Sequence, residues 1–216
     1  MHPLIIEPCA GSAGYATRHA DRLVILCDRD PVICEVWRYL IRVSSAEIGR
    51  IPDVREHIDE LAAWPQETRW LVGFWLNKGH TAPNLTPSAW MRSGKYPNQF
   101  WGAAMRARIA GQVDRIRHWK VIHGDYSSIP NYVATYFIDP PYSTPPGRRY
   151  KGGNKLPFTH LGDWCRSRQG FKIVCEQQGA TWLPFQPFRR IHTNAARTFS
   201  DEVVWIEGGA ADEADL

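Results

Sequence analysis

The four residues of this chain best suited to chemistry are Asp139, Pro140, Pro141 and Tyr142, which follow the apolar run 136–138. A proline pair cannot continue a strand ladder, so a buried strand should stop there. The prolines explain the stop but not the carboxylate and the ring that flank them. An aromatic amine would use both. Its nitrogen lone pair is delocalised into the ring, which makes it a poor nucleophile. Two acceptors facing its two N–H groups, the Asp139 carboxylate and the Pro140 carbonyl, would draw that nitrogen toward tetrahedral geometry. The prolines would hold the carbonyl rigid, and Tyr142 could stack on a flat base. The chemistry that fits is attack on an electrophilic methyl held in line.

A second constellation lies upstream. "LIIEPCAGSAGY" runs from a short apolar strand into a turn built on Gly11, Ser12, Ala13 and Gly14. Strand, glycine turn and helix in succession set backbone amides at the carboxyl edge of a sheet, facing a ligand. The spacing is not the dinucleotide pattern G-x-G-x-x-G. Fourteen residues after Gly14, Asp28 ends a second apolar strand, 23–27. A carboxylate there can accept from both ribose hydroxyls of a nucleoside-containing cofactor. Asp125, in "HGDYSS", is a third strand-end carboxylate. It suits either the exocyclic amine of a cofactor adenine or the cap of a turn.

These residues must be carried by strands that end at one edge. Further strands are expected in "KVIHGD", "TYFIDPPY", "FKIVCE", "RRIHT" and "EVVWIE". Asp30-Pro31 marks a helix start, with Ile33, Trp37, Leu40 and Ile41 at helical spacing. A helix over 53–64 is expected from Asp53 with Glu56 as a capping box. A buried aromatic helix is expected in "ETRWLVGFWLNKG", stopping at Lys78-Gly79, and a short helix over 161–168. In the helix around 105–116, Met105, Ile109, Val113 and Ile116 face inward. Its Arg106, Arg108, Arg115 and Arg117 form either a solvated face or a phosphate contact. Residues 80–100 read as a long loop rich in proline, serine and asparagine. Strand–helix alternation at both ends predicts an α/β fold: a mostly parallel sheet with an antiparallel C-terminal strand and a helical, looped insertion over about 45–119. One catalytic domain, 1–207, and a frayed tail, 208–216, are expected.

With 216 residues, 44% of them hydrophobic and 22% charged, the chain can bury a sizeable core. A net charge of +4 permits a polyanion partner without demanding one. The five cysteines form no C-x-x-C pair, and the histidines lie at no ligand spacing from them. No metal is therefore expected, and the thiols fit a reducing, cytoplasmic setting. The first residues carry neither a basic segment nor a long apolar one, so no signal peptide and no membrane association are expected.

The segments "EPCAGSAGY", "CD", "HGDY" and "DPPY" follow one another as in Dam-like adenine-N6 DNA methyltransferases, which the chain resembles over residues 4–207. "WRYLI", "GFWLNKG", "PSAWMR" and "IVCEQQGATWLPF" resemble the short, phage-encoded members, which have no partner endonuclease. The resemblance implies a Rossmann-like class I methyltransferase fold and S-adenosyl-L-methionine as donor. It implies that Glu7, Pro8, Cys9, Ala10, Gly11, Ser12, Ala13 and Gly14 line the methionine and ribose side, that Asp28 takes the ribose hydroxyls, and that Asp125 and Tyr126 lie near the cofactor adenine. Asp139, Pro140, Pro141 and Tyr142 would hold an adenine extruded from double-stranded DNA. Arg92, Lys95, Arg148, Arg149, Tyr150 and Lys151 would contact the nucleic acid. Cys9 stands where the family commonly has an aromatic residue, and the family's N-terminal lysine- and glycine-containing motif is missing. The short recognition segment 80–100 implies a short or relaxed target site.

Three other functions share these features. They are an RNA amino-methyltransferase, a cytosine-N4 DNA methyltransferase, and a non-catalytic nucleic-acid-binding module that keeps the fold.

Overall fold

A computed structural model describes residues 2–77, 81–145, 147, 155–192 and 199–208. Among them, seven strands make one sheet: β1 (Leu4–Glu7), β2 (Leu23–Asp28), β3 (Lys120–His123), β4 (Ala134–Ile138), β5 (Gly170–Gln177), β6 (Gln186–His192) and β7 (Phe199–Glu207). Their order is β3-β2-β1-β4-β5-β7-β6. β1 pairs in parallel with β2 and β4, and β4 with β5, whereas β7 runs antiparallel to both β5 and β6. The expected fold class is observed: an α/β fold with a mostly parallel sheet and an antiparallel C-terminal strand. Strand order reverses between β1 and β4, and ligands of open α/β sheets bind outside the carboxyl ends of strands at such a switch point.

The central strands read as continuous apolar runs because both their faces are covered. Ile5, Ile6, Thr135, Tyr136 and Ile138 are all fully buried. Ile6, Tyr136, Ile138 and Val174 pack with Leu161, Trp164 and Cys165 from the helix Phe158–Ser167. Each side chain of this size contributes roughly 1.5–3 kcal/mol on burial. Side chains alternate along a strand, so Phe137 faces the other way from Tyr136, and there Tyr15 stacks on it at 4.7 Å and 6°.

The chain forms two compact units, Met1–Arg29 with Ile122–Leu216, and Asp30–Val121. The first holds β1, β2, β4 to β7 and the end of β3, with the last helix. The second is helical: α1 (Pro31–Arg42), α2 (Ser45–Arg50), α3 (Gln66–Leu76), α4 (Ala89–Arg92) and α5 (Ala103–Val113). Phe158–Ser167 is α6. α1 starts as expected, with the Asp30 side chain accepting from the Val32 N–H at 2.9 Å. In α5 and the turn after it, Met105, Val113 and Ile116 are buried and Ile109 is half-buried. Its arginines tie the unit together. Arg106 pairs with Asp53, Arg108 lies over the Trp75 ring, and Arg117 donates to the Ile41 and Val43 carbonyls.

Three expectations are corrected. The helix over 53–64 does not form; only a 3-10 turn, Ile58–Leu61, does. The Glu60 carboxylate gathers the N–H groups of Arg55, Glu56 and His57, so the capping box is His57 with Glu60, while Asp53 is engaged by Arg106. The helix after the glycine turn is a four-residue 3-10 turn, Ala16–His19. β6 begins at Gln186, ahead of the expected Arg189, because β6 is the sheet edge, where Pro187 needs no ladder donor. Loop 80–100 contains α4 and a 3-10 turn, Pro97–Gln99. Lys78 and Gly79 lie outside the described residues. Among the described residues no helix is long and apolar enough to cross a membrane.

Candidate active site

The glycine turn leaves β1 between two backbone anchors. Ala10 donates to the Cys27 carbonyl at 2.9 Å, and Gly11 donates to Asp28 Oδ2 at 2.9 Å. One strand-end carboxylate thus fixes the loop of the neighbouring strand. Gly11 and Ala13 sit at φ of 46° and 48°. This left-handed region suits glycine and strains alanine, a cost that persists only where the surroundings enforce it. A side chain added at Gly11 would meet nothing within 4 Å, so the turn's backbone is open to a ligand. Pro8, Ala10 and Ala13 are buried, Cys9, Gly11 and Asp28 half-buried, and Ser12 and Gly14 exposed.

Glu7 closes β1. It is only 2% exposed, and its Oε1 accepts from the Ala16 N–H at 2.5 Å. Burial outweighs that bond and, with the charge of Asp139, raises the carboxyl to about 8. The Cys9 thiol is also pushed up, first by burial and then by Asp28 and Asp139. The turn, the β2 end and the β4 end therefore converge around Cys9.

Asp139 follows β4, open to solvent on one side and crowded by protein elsewhere. Loss of hydration, followed by the charges of Glu202 and Glu176, raises its carboxyl to about 6. Pro140 is buried. Tyr142 is half-buried, and its hydroxyl donates to Glu202 Oε2 at 2.9 Å. Burial and Asp139 raise that hydroxyl well above the ordinary phenol range. The chain then turns tightly: a side chain on Gly147 would lie 1.7 Å from the Tyr142 carbonyl oxygen, so only glycine fits.

Asp125 acts as a cap. Its Oδ1 accepts from Ser127 N–H at 3.0 Å in the turn Tyr126–Ser128, and Arg29 approaches at 3.5 Å. The cap does not by itself exclude a ligand contact, because a carboxylate accepts at several positions. Tyr126 is buried beside Trp164, its hydroxyl 2.7 Å from His160 Nδ1. Burial, then Asp125, raises that hydroxyl to about 12.

Several residues had no local sequence signal. Glu176, fully buried at the end of β5, accepts from Ser143 N–H at 2.6 Å, Trp182 Nε1 at 3.0 Å and Gln177 N–H at 2.9 Å. Reading it as another strand-end carboxylate, like Asp28, could have found it. Glu202, Ser200, Gln177 and Thr144 are joined by hydrogen bonds to the loop after Pro141. In the helical unit, Arg92 and Lys95 are exposed, although the Arg92 guanidinium donates to the Pro87 carbonyl. Near them in sequence, Trp90 is 63% and Tyr96 41% exposed, their rings 5.8 Å apart. Arg148, Arg149, Tyr150 and Lys151 lie outside the described residues. Among the described residues no cluster of His, Cys, Asp or Glu could hold a metal ion, and none of the five cysteines is in a disulfide.

No family model matches the chain, and no curated protein does. Among solved structures, the rRNA methyltransferase aviRa from Streptomyces viridochromogenes is 14% identical, over 94% of this chain and 76% of its own, with a TM-score of 0.39. A likeness that low carries no argument about activity.

Proposed function

We propose that the protein is an S-adenosyl-L-methionine-dependent methyltransferase that methylates the exocyclic N6 amine of adenine in double-stranded DNA. The observation that carries this is the junction at the switch point: the open glycine turn fixed to Asp28, beside Asp139 and Pro140 at the end of β4. One side suits a nucleoside-containing cofactor, the other a flat aromatic amine.

The residues fit the cofactor. The turn offers open backbone over Gly11, Asp28 offers a carboxylate for ribose hydroxyls, and Asp125 with Tyr126 flanks the adenine end. When bound, the cofactor supplies a methyl activated by a sulfonium. Asp139 and the Pro140 carbonyl accept from the two N6 protons, and Tyr142 stacks on the extruded base. After transfer the nitrogen carries one proton too many. A carboxylate raised to about 6 can take it while remaining mostly ionised at neutral pH. Arg92, Lys95, Arg148, Arg149, Tyr150 and Lys151 are the proposed contacts to DNA, and the exposed Trp90 and Tyr96 offer stacking surfaces.

The test is expression in a methylation-free bacterial host, followed by single-molecule sequencing of its DNA. N6-methyladenine in a short context is expected, and unmodified DNA would refute the proposal. Purified Asp139→Ala should lose about 10²–10³-fold or more in transfer while still binding S-adenosyl-L-methionine by calorimetry. Methyl transfer to rRNA, with none to duplex DNA, would move the assignment to RNA.

A further inference from the structure

The DPPY loop is held by a circuit of side chains from three parts of the sheet unit. Thr144 Oγ1 donates to Gln177 Oε1 at 2.8 Å. Gln177 Nε2 donates to Ser200 Oγ at 3.1 Å. Ser200 Oγ donates to Glu202 Oε1 at 2.6 Å, and Tyr142 donates to Glu202 Oε2 at 2.9 Å. The circuit begins and ends on the loop and passes through the end of β5 and the start of β7. Glu202 is the member where both arms meet, one on each carboxylate oxygen. Charge-assisted bonds of this kind are short and roughly twice as strong as neutral ones.

We propose that Glu202 is a positioning residue of this site: it fixes the Tyr142 ring and places a negative charge against Asp139. The inference rests on the methyltransferase reading for its consequence, though not for its geometry. A stacking ring serves a flat base only if its plane is set beforehand, and a tyrosine held by its hydroxyl cannot swing out of the pocket.

The groups facing Asp139 come from every neighbouring element. Glu7 closes β1, and Cys9 lies in the glycine turn. Cys175 and Glu176 come from β5, Glu202 from β7, and Tyr142 from the loop itself. Arg189 of β6 is a cation that acts on the adjacent Cys175 thiol. Glu202 and Glu176 are the charges that oppose ionisation of Asp139. Removing the charge of Glu202 while keeping an acceptor should therefore make Asp139 more acidic.

Two variants separate the parts of the role. Glu202→Gln keeps an oxygen for the Tyr142 hydroxyl but no charge; Glu202→Ala keeps neither. In carbon-13 NMR of labelled protein, the Asp139 carboxyl should titrate at lower pH in Glu202→Gln than in the wild type. The Tyr142 ring signals should stay in place in Glu202→Gln and move or broaden in Glu202→Ala. In methyl transfer, Glu202→Ala should lower kcat/KM about tenfold or more. Glu202→Gln should restore most of that and shift the acidic limb of the pH profile downward. An unchanged Asp139 titration in Glu202→Gln, or an undisturbed Tyr142 ring in Glu202→Ala, overturns the proposal. A wild type that folds but transfers no methyl group refutes the methyltransferase reading instead, and the NMR measurements still decide the role of Glu202.

Discussion

Single carboxyl groups set much of the behaviour expected here. Glu7 is buried against Ala16 and faces Asp139, and its carboxyl titrates near 8 instead of near 4.5. A carboxyl raised in the folded state binds its proton there more tightly than in the unfolded chain. Its stabilising effect is complete below about 4.5 and is lost as pH rises toward 8. The charge-free Glu7→Gln should therefore unfold at similar denaturant in acid and at clearly higher denaturant than wild type at pH 9. The gap has a ceiling on the order of 5 kcal/mol. Urea titrations at pH 5 and 9 measure it, and equal pH dependence of the two proteins would contradict it. Asp139 and Asp28 were visible in the sequence because each ends an apolar run, where a carboxylate is conspicuous. Glu202 was not, because it stood at the head of the expected run "EVVWIE" and resembles any solvated charge. What marks it is Tyr142, 60 residues away.

Strands were more legible than the joints between them. β1, β2 and β4 are near-continuous apolar runs because parallel strands are covered on both faces, while β5 admits Lys172 and Glu176 among its apolar residues. The segment 53–64 carried a helical stripe, yet the Glu60 carboxylate collected three N–H groups ahead of it and left only a turn. The stripe survived as burial of Val54, Ile58 and Leu61 without the helix. Glu176 shows how one side chain at an element end can tie two connections to a strand. It joins β5 to the loop after Pro141 through Ser143, and to the next connection through Trp182. Glu176→Ala would leave those half-buried donors without their acceptor and should cost roughly 1–3 kcal/mol. Thermal unfolding would reveal it, and a loss below about 1 kcal/mol would mean the loop re-forms around other acceptors.

For the molecule as a whole, charge offers a test independent of the pocket. Net charge is +4, with Arg92, Lys95, Arg148, Arg149 and Lys151 as the cations assigned to DNA. If each neutralises one phosphate, the slope of log affinity against log salt should be about −4 to −5. Replacing Arg92 and Lys95 by glutamine should reduce its magnitude by about 2. Fluorescence anisotropy with duplex DNA between 50 and 200 mM salt measures both. A slope near zero would remove these cations from the interface.

The one reversed strand also bears on how the protein is made. β7 enters the sheet against the direction of its neighbours, so Ser200 and Glu202, at its start, come level with the finishing ends of β4 and β5. A polypeptide is synthesised from its amino end, and Tyr142 emerges 60 residues before its anchor. The loop cannot be locked until β7 has been translated, so a nascent chain on the ribosome carries Asp139 to Tyr142 without their tether.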